Sequence, residues 1–434
     1  MHLTDLNIRS FDTPGRSHSI SKNGMVATSH PLASNAGLMM LKEGGNALDT
    51  ALVMSVVLCM AEPHMTGIGG DCFALISRDS SAKNIKAING SGYAGEKYKS
   101  ITLQNMGIHN IEAHMPHSVT IPGAVSAWNI LHNEYGKLPW PEIFKFAIEF
   151  IKDGVLINER VSLDWSRNQM KLSKDKKTKN IFLNKGKAFR FLELFKNEQL
   201  INTLRLIGEE GSRSFYNGYV SRDICEKLNH LGGLQTLKDF SNYNAEWVYP
   251  ISYDYKDYKV HECPPNGQGI TVFLILAILK SFNLNKLSTS DYYHLFCEAV
   301  KLSYFLRDSY ISDPKFNNIK YDELLNLKAI KNYVSKIDFK KANNFKKSDF
   351  PNHSDTIYLT VRDKDGMTVS FINSLFDAFG SGITSTNTGV LLHCRGRSFN
   401  LKNNHNNQIK GLKKPLHTII PGMISQKGYN VFKS

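Results

Sequence analysis

Asp355-Thr356-Ile357-Tyr358-Leu359-Thr360-Val361 is the stretch on which the reading of this chain turns. From Thr356 the residues alternate in a β-branched and aromatic run, the pattern of a half-buried strand. Asp363-Lys364-Asp365-Gly366 supplies a hairpin turn, and Thr368 to Leu375 returns as the partner strand. Upstream, a lysine-rich hydrophilic linker starts near Lys346 and ends in Asn352-His353-Ser354-Asp355. By spacing alone this is an exposed linker entering a hairpin.

Working outward, the chain before Asn23 is polar and turn-rich, an arm over residues 1–22. Gly24 to Thr28 reads as a strand, and His30-Pro31 opens a helix through Leu41 that Gly44-Gly45 ends. Ala47 to Met60 is apolar on nearly every face, as a helix buried inside a layered domain must be. Glu62-Pro63 stops it. The turn Thr66 to Asp71 (TGIGGD) then feeds a strand from Cys72 to Ser77. That turn lacks both the GxGxxG spacing and the Lys-Ser/Thr ending of a phosphate loop, so it reads as close packing. Trp140 to Leu228 is helical in pattern with charged loops. The Tyr-rich stretch from Tyr243 to Tyr258 and Pro264-Pro265-Asn266-Gly267-Gln268-Gly269 mark strands and a turn before helices near Ile270 and Tyr292.

Composition removes several classes of function. Hydrophobic residues at 41% and charged residues at 21% are those of a folding globular chain. The net charge of +14 is diffuse, and its lysine runs, Lys171 to Lys179 and Lys328 to Lys347, carry no regularly interleaved aromatics. They read as solvated faces, with no nucleic-acid partner. Apolar stretches are too short to span a bilayer and the first residues do not resemble a secretory signal, so the expectation is a cytoplasmic protein without a membrane partner. The six cysteines have no metal or redox spacing and read as reduced core thiols; the fifteen histidines show no metal-ligand spacing either. No metal and no organic cofactor is expected.

Several ordered motifs together resemble gamma-glutamyltranspeptidases and the related cephalosporin acylases. They are Gly24-Met25-Val26-Ala27-Thr28-Ser29-His30-Pro31, Gly44-Gly45-Asn46-Ala47-Leu48-Asp49, Glu62-Pro63-His64-Met65-Thr66-Gly67-Ile68-Gly69-Gly70, Ile121-Pro122-Gly123, Tyr135-Gly136-Lys137-Leu138-Pro139-Trp140, Pro264 to Gly269, and Glu298-Ala299-Val300-Lys301 before Asp313-Pro314. The resemblance runs from about residue 23 to the end. It implies an α/β (α+β) fold, the four-layer αββα sandwich of N-terminal nucleophile hydrolases. It also implies one precursor that cuts itself between Asp355 and Thr356 into a large-subunit region (23–355) and a small-subunit region (356–434).

Under that resemblance Thr356 is the nucleophile and Ser374, where relatives place a threonine, orients it. Arg395 and Ser398 fall where relatives hold the substrate's α-amine, and His417-Thr418 where a serine pair serves the substrate or the oxyanion. All four are expected substrate contacts. Other positions depart from the pattern. Phe376 replaces an asparagine, Ile357 replaces the usual second threonine, and the arginine that pairs with the γ-glutamyl carboxylate has only Ser91 or Tyr93 nearest its place. The expected activity is that of a gamma-glutamyltransferase or glutathione hydrolase-like enzyme acting on a small-molecule amide. Loss of a bidentate guanidinium contact shifts the acyl group towards a cephalosporin-acylase-like amide. Relatives also continue beyond the position of Ser434 with a glycine pair donating to the oxyanion, so an incomplete small subunit, even a catalytically inactive member, is a further expectation.

Overall fold

The computed structural model describes residue 15 and residues 18–81, 83–317, 320–344, 356–426 and 429–433. Asp355, the expected cleavage position, and most of the expected arm lie outside them. Twelve strands are described: β1 (Gly24–Ala27), β2 (Asp71–Ser77), β3 (Lys86–Gly90), β4 (Val155–Leu156), β5 (Leu194–Phe195), β6 (Glu246–Val248), β7 (Ile251–Tyr255), β8 (Tyr258–Glu262), β9 (Ile357–Asp363), β10 (Thr368–Ser374), β11 (Gly422–Gln426) and β12 (Tyr429–Lys433). One sheet runs β1-β9-β10-β2-β3-β6 and a second β12-β11-β8-β7. Every ladder of the first sheet is antiparallel, including β1 on β9 and β10 on β2.

Three apolar interfaces stack four layers. Alternation along β2 sends Cys72, Ala74 and Ile76 to one face, where they meet helices α1 (Pro31–Lys42) and α2 (Ala47–Ala61). Phe73 and Leu75 point the other way, into a smaller cluster with Ile372, Cys263, Ile419 and Met423 that joins the two sheets. Beyond the second sheet, the helices Gly269–Lys280 and Thr289–Tyr310 bury Leu274, Ile278, Leu295 and Leu302. The expected αββα sandwich is the fold. Burial on both faces explains why β2 reads as a near-continuous apolar run from Cys72 to Ile76.

Most local expectations match to within a residue: β9 starts at Ile357 and leaves Thr356 just ahead of it, and β10 ends at Ser374. All fifteen residues of α2 are buried. Its N-terminus carries a capping box, with the Asn46 side chain accepting from Leu48 and Asp49 N–H and Asp49 answering on the Asn46 N–H. The helical stretch after Trp140 is interrupted by the short β4–β5 pair. One expectation fails. Cys297 is exposed, whereas the other five thiols are buried. The helix Thr289–Tyr310 turns Leu295, Ala299 and Leu302 inward, and position 297 falls outside that stripe.

Candidate active site

The hairpin register decides where the site forms. Asn373 pairs with Ile357 across β10 and β9, so Ser374 stands opposite Thr356. Their hydroxyl oxygens are 3.2 Å apart. Ser374 is fully buried, and its Oγ also accepts the N–H of Phe376 at 3.0 Å. That bond helps hold Phe376 at φ 82°, a left-handed conformation costly for a large side chain.

On its other side Ser374 pairs with Asp71, the first residue of β2. Asp71 is fully buried and is the hub of the site. Its Oδ1 accepts the N–H of Gly92 at 3.2 Å and of Gly123 at 3.1 Å, and its Oδ2 accepts Nε2 of His417 at 3.0 Å. Nδ1 of His393 is 3.5 Å from Oδ2. Burial alone pushes this carboxyl up, but the facing imidazoles of His393 and His417 outweigh it and hold Asp71 well below the usual carboxylate range.

His417 is buried with its ring 4.6 Å from that of Phe73. Burial, and then the charge of Arg395, push it down to about 3, so the imidazole is neutral at pH 7. Its Nδ1 accepts the N–H of Ile419 at 3.4 Å, which fixes the proton on Nε2, facing Asp71.

Arg395 lies in a short 3₁₀ turn, Arg395–Ser398, with no exposed surface. Its guanidinium carbon is 4.2 Å from the centre of the Phe376 ring, and Nη1 donates to Thr418 Oγ1 at 2.8 Å. Ser398 faces its own chain: Oγ is 2.9 Å from the Arg395 carbonyl and 2.8 Å from that of Leu416. Of the expected substrate contacts, then, Arg395 and Thr418 are brought together beside the Thr356–Ser374 pair through Phe376, whereas the polar atoms of Ser398 and His417 are occupied within the framework. Among the described residues no group of His, Cys, Asp or Glu is arranged to hold a metal ion.

Asp71, His393, Asn266 and Gln268 escaped the sequence reading as site residues. The Asn266 side chain bonds Asn89, Ser91 and the Pro415 carbonyl. Gln268 takes the His417 and Thr418 carbonyls and accepts from Arg307. The Pro264–Gly269 loop therefore positions the 417–418 segment. Asn266 and Gln268 lie in the Pro264–Gly269 motif and Asp71 directly follows the Glu62–Gly70 motif, which is the signal that marks them; His393 has none.

A family model described as Gamma-glutamyltranspeptidase matches residues 33–432. The chain is 34% identical over 411 residues to a "Glutathione hydrolase-like YwrD proenzyme" of Bacillus subtilis, covering 94% of this chain and 77% of that one. It is 28% identical to the "Oxamate amidohydrolase proenzyme" of Klebsiella pneumoniae, over 93% of this chain and 77% of the relative. Among solved structures, a cephalosporin acylase from Bacillus halodurans superposes with a TM-score of 0.88 at 34% identity, covering 97% of this chain and 78% of that one. A serine hydroxyl against the residue just ahead of β9, on an αββα frame and with a match across nearly the whole length, gives one conclusion: the chain belongs to the gamma-glutamyltranspeptidase family.

Proposed function

We propose that this chain is an N-terminal-threonine amide hydrolase or acyltransferase that cuts itself before Thr356, giving a large piece from residues 1–355 and a small piece from residues 356–434. The observation that carries the reading is the 3.2 Å contact between Thr356 Oγ1 and Ser374 Oγ at the head of β9. In the uncut chain the Thr356 hydroxyl attacks the Asp355 carbonyl carbon, and the peptide nitrogen leaves as the α-amine of Thr356. Water then resolves the ester, returning the hydroxyl. That amine, with a pKa of about 7.7–8.0, is the base an alcohol nucleophile requires. The same hydroxyl next attacks a substrate amide, the departing amine takes a proton, and an acyl-threonine remains. Water gives hydrolysis; an acceptor amine gives transfer.

Phe376 and Arg395 in place of amine-binding polar groups support an acyl group other than γ-glutamyl, in line with the names of the acylase and the oxamate amidohydrolase relatives. The six free thiols support a reducing compartment, the cytoplasm. The test is intact mass and N-terminal sequencing after incubation at neutral pH, beside a Thr356→Ala control. Two pieces with a new terminus at Thr356, absent in the control, are expected. A wild-type chain that stays whole and folded and hydrolyses no amide overturns the proposal.

A further inference from the structure

A fully buried guanidinium needs partners for five N–H bonds, and Arg395 lacks several. Nη1 has Thr418, and one face of the guanidinium plane is covered by the Phe376 ring. Nε and Nη2 have no hydrogen-bond partner among the described residues. These two atoms form one edge of the guanidinium, the fork that matches the two oxygens of a carboxylate. A buried charge left without partners is costly, and such groups mark sites that a ligand completes.

The neighbouring anions do not fill this edge. Asp71 Oδ2 is 4.0 Å from Nε, beyond hydrogen-bond reach, and its oxygens already serve Gly92, Gly123 and His417. Asp377 is held by Arg397 at 2.6 Å. Burial pushes Arg395 down only to about 10, so it is charged at neutral pH. With both acids engaged, an ammonium group placed here meets a guanidinium and no free carboxylate.

We propose that Arg395 receives a carboxylate of the substrate's acyl half on its Nε/Nη2 edge, so that the substrates are monoamides of dicarboxylic acids without an adjacent ammonium. This rests on Thr356 being the nucleophile: an unbroken run of contacts from Thr356 through Ser374 and Phe376 ties the guanidinium to the reacting end of the site. Phe376 closes one face of the guanidinium, and the unpartnered edge lies in the guanidinium plane.

The test uses charge-matched pairs on the chain as produced: oxamate against oxamide, succinamate against succinamide, glutaramate against glutaramide, with L-glutamine as the ammonium-bearing analogue. Calorimetry and thermal upshift report binding. In at least one pair the monoamide is expected to bind tenfold or more tighter than its neutral diamide, and glutaramate tighter than glutamine. Arg395→Gln is expected to erase the preference, and Arg395→Lys to keep part of it, a charge without the fork. Circular dichroism checks that both variants fold; if Arg395→Gln does not, the wild-type pairs and Arg395→Lys decide. Equal binding within every pair, no binding of any monoamide, glutamine matching glutaramate, or a preference that survives Arg395→Gln each overturns the proposal, and equal binding would make Arg395 a structural partner of Asp71. Binding needs no nucleophile: monoamide turnover that persists in Thr356→Ala removes the Thr356 assignment and not the charge preference.

Discussion

At the scale of single residues, Ser374 has the sharpest consequence. Ser374→Ala leaves Thr356 Oγ1 and the Phe376 N–H without their shared partner. A net hydrogen bond of about 1 kcal/mol corresponds to roughly a fivefold to tenfold fall in kcat/KM, and Ser374→Thr should restore it. In the cut enzyme kcat/KM should rise with pH around about 7.7–8.0 as the Thr356 amine loses its proton. A profile flat from pH 6 to 9 would remove the amine as base. His417 acts on stability instead. Its folded value of about 3 lies below the ordinary histidine value, so in acid the unfolded chain binds the extra proton. The contribution is complete above about pH 6.5 and declines as pH falls towards 3, and melting temperature against pH should show that decline flattened in His417→Asn. Glu262 runs the other way. Burial raises it well above the usual carboxylate range and Oε2 has no partner among the described residues. Its protonated form is free of penalty below about pH 4, and the penalty grows as pH rises, so Glu262→Gln should raise the melting temperature at pH 7 and leave it unchanged at pH 4.

At the scale of elements, legibility followed sequence separation. The β9–β10 hairpin was readable because its alternation, its Asp-Lys-Asp-Gly turn and its register all lie within twenty-odd residues, and that register alone sets Ser374 across from Thr356. Helix α2 was readable because a segment apolar on nearly every face has nowhere to go but inside. The Asp71 hub is only half legible: its place just after the Glu62–Gly70 motif marks the turn, but its imidazole partner His417 is 346 positions away and nothing local names it. Nor could spacing show that Ser398 spends its hydroxyl on carbonyls, or that position 297 escapes the inward stripe of its helix. The Asn46 cap has both characters. Its side chain closes the start of α2 and also donates to the Tyr135 carbonyl at 2.6 Å. Asn46→Ala should therefore cost about 1–2 kcal/mol in a urea titration, the upper part of the range for a lost cap.

At the scale of the molecule, β9 and β10 are interior strands, flanked by β1 on one side and β2 on the other. A cut before Thr356 would part the chain without parting the sheet. The two pieces should co-elute on size exclusion in native buffer and separate only in denaturant; spontaneous separation would contradict the ladders of β1 on β9 and β2 on β10. If the chain is cut there, the same strand order gives maturation a direction in time. A hairpin that sits between two other strands is inserted while the chain is still one thread and the search is intramolecular; once severed, it must find a gap that the remaining strands close by pairing with each other. Refolding from denaturant should thus succeed for the uncut chain and fail, or scale with concentration, for the mature pair, making the cut a record that folding has already happened.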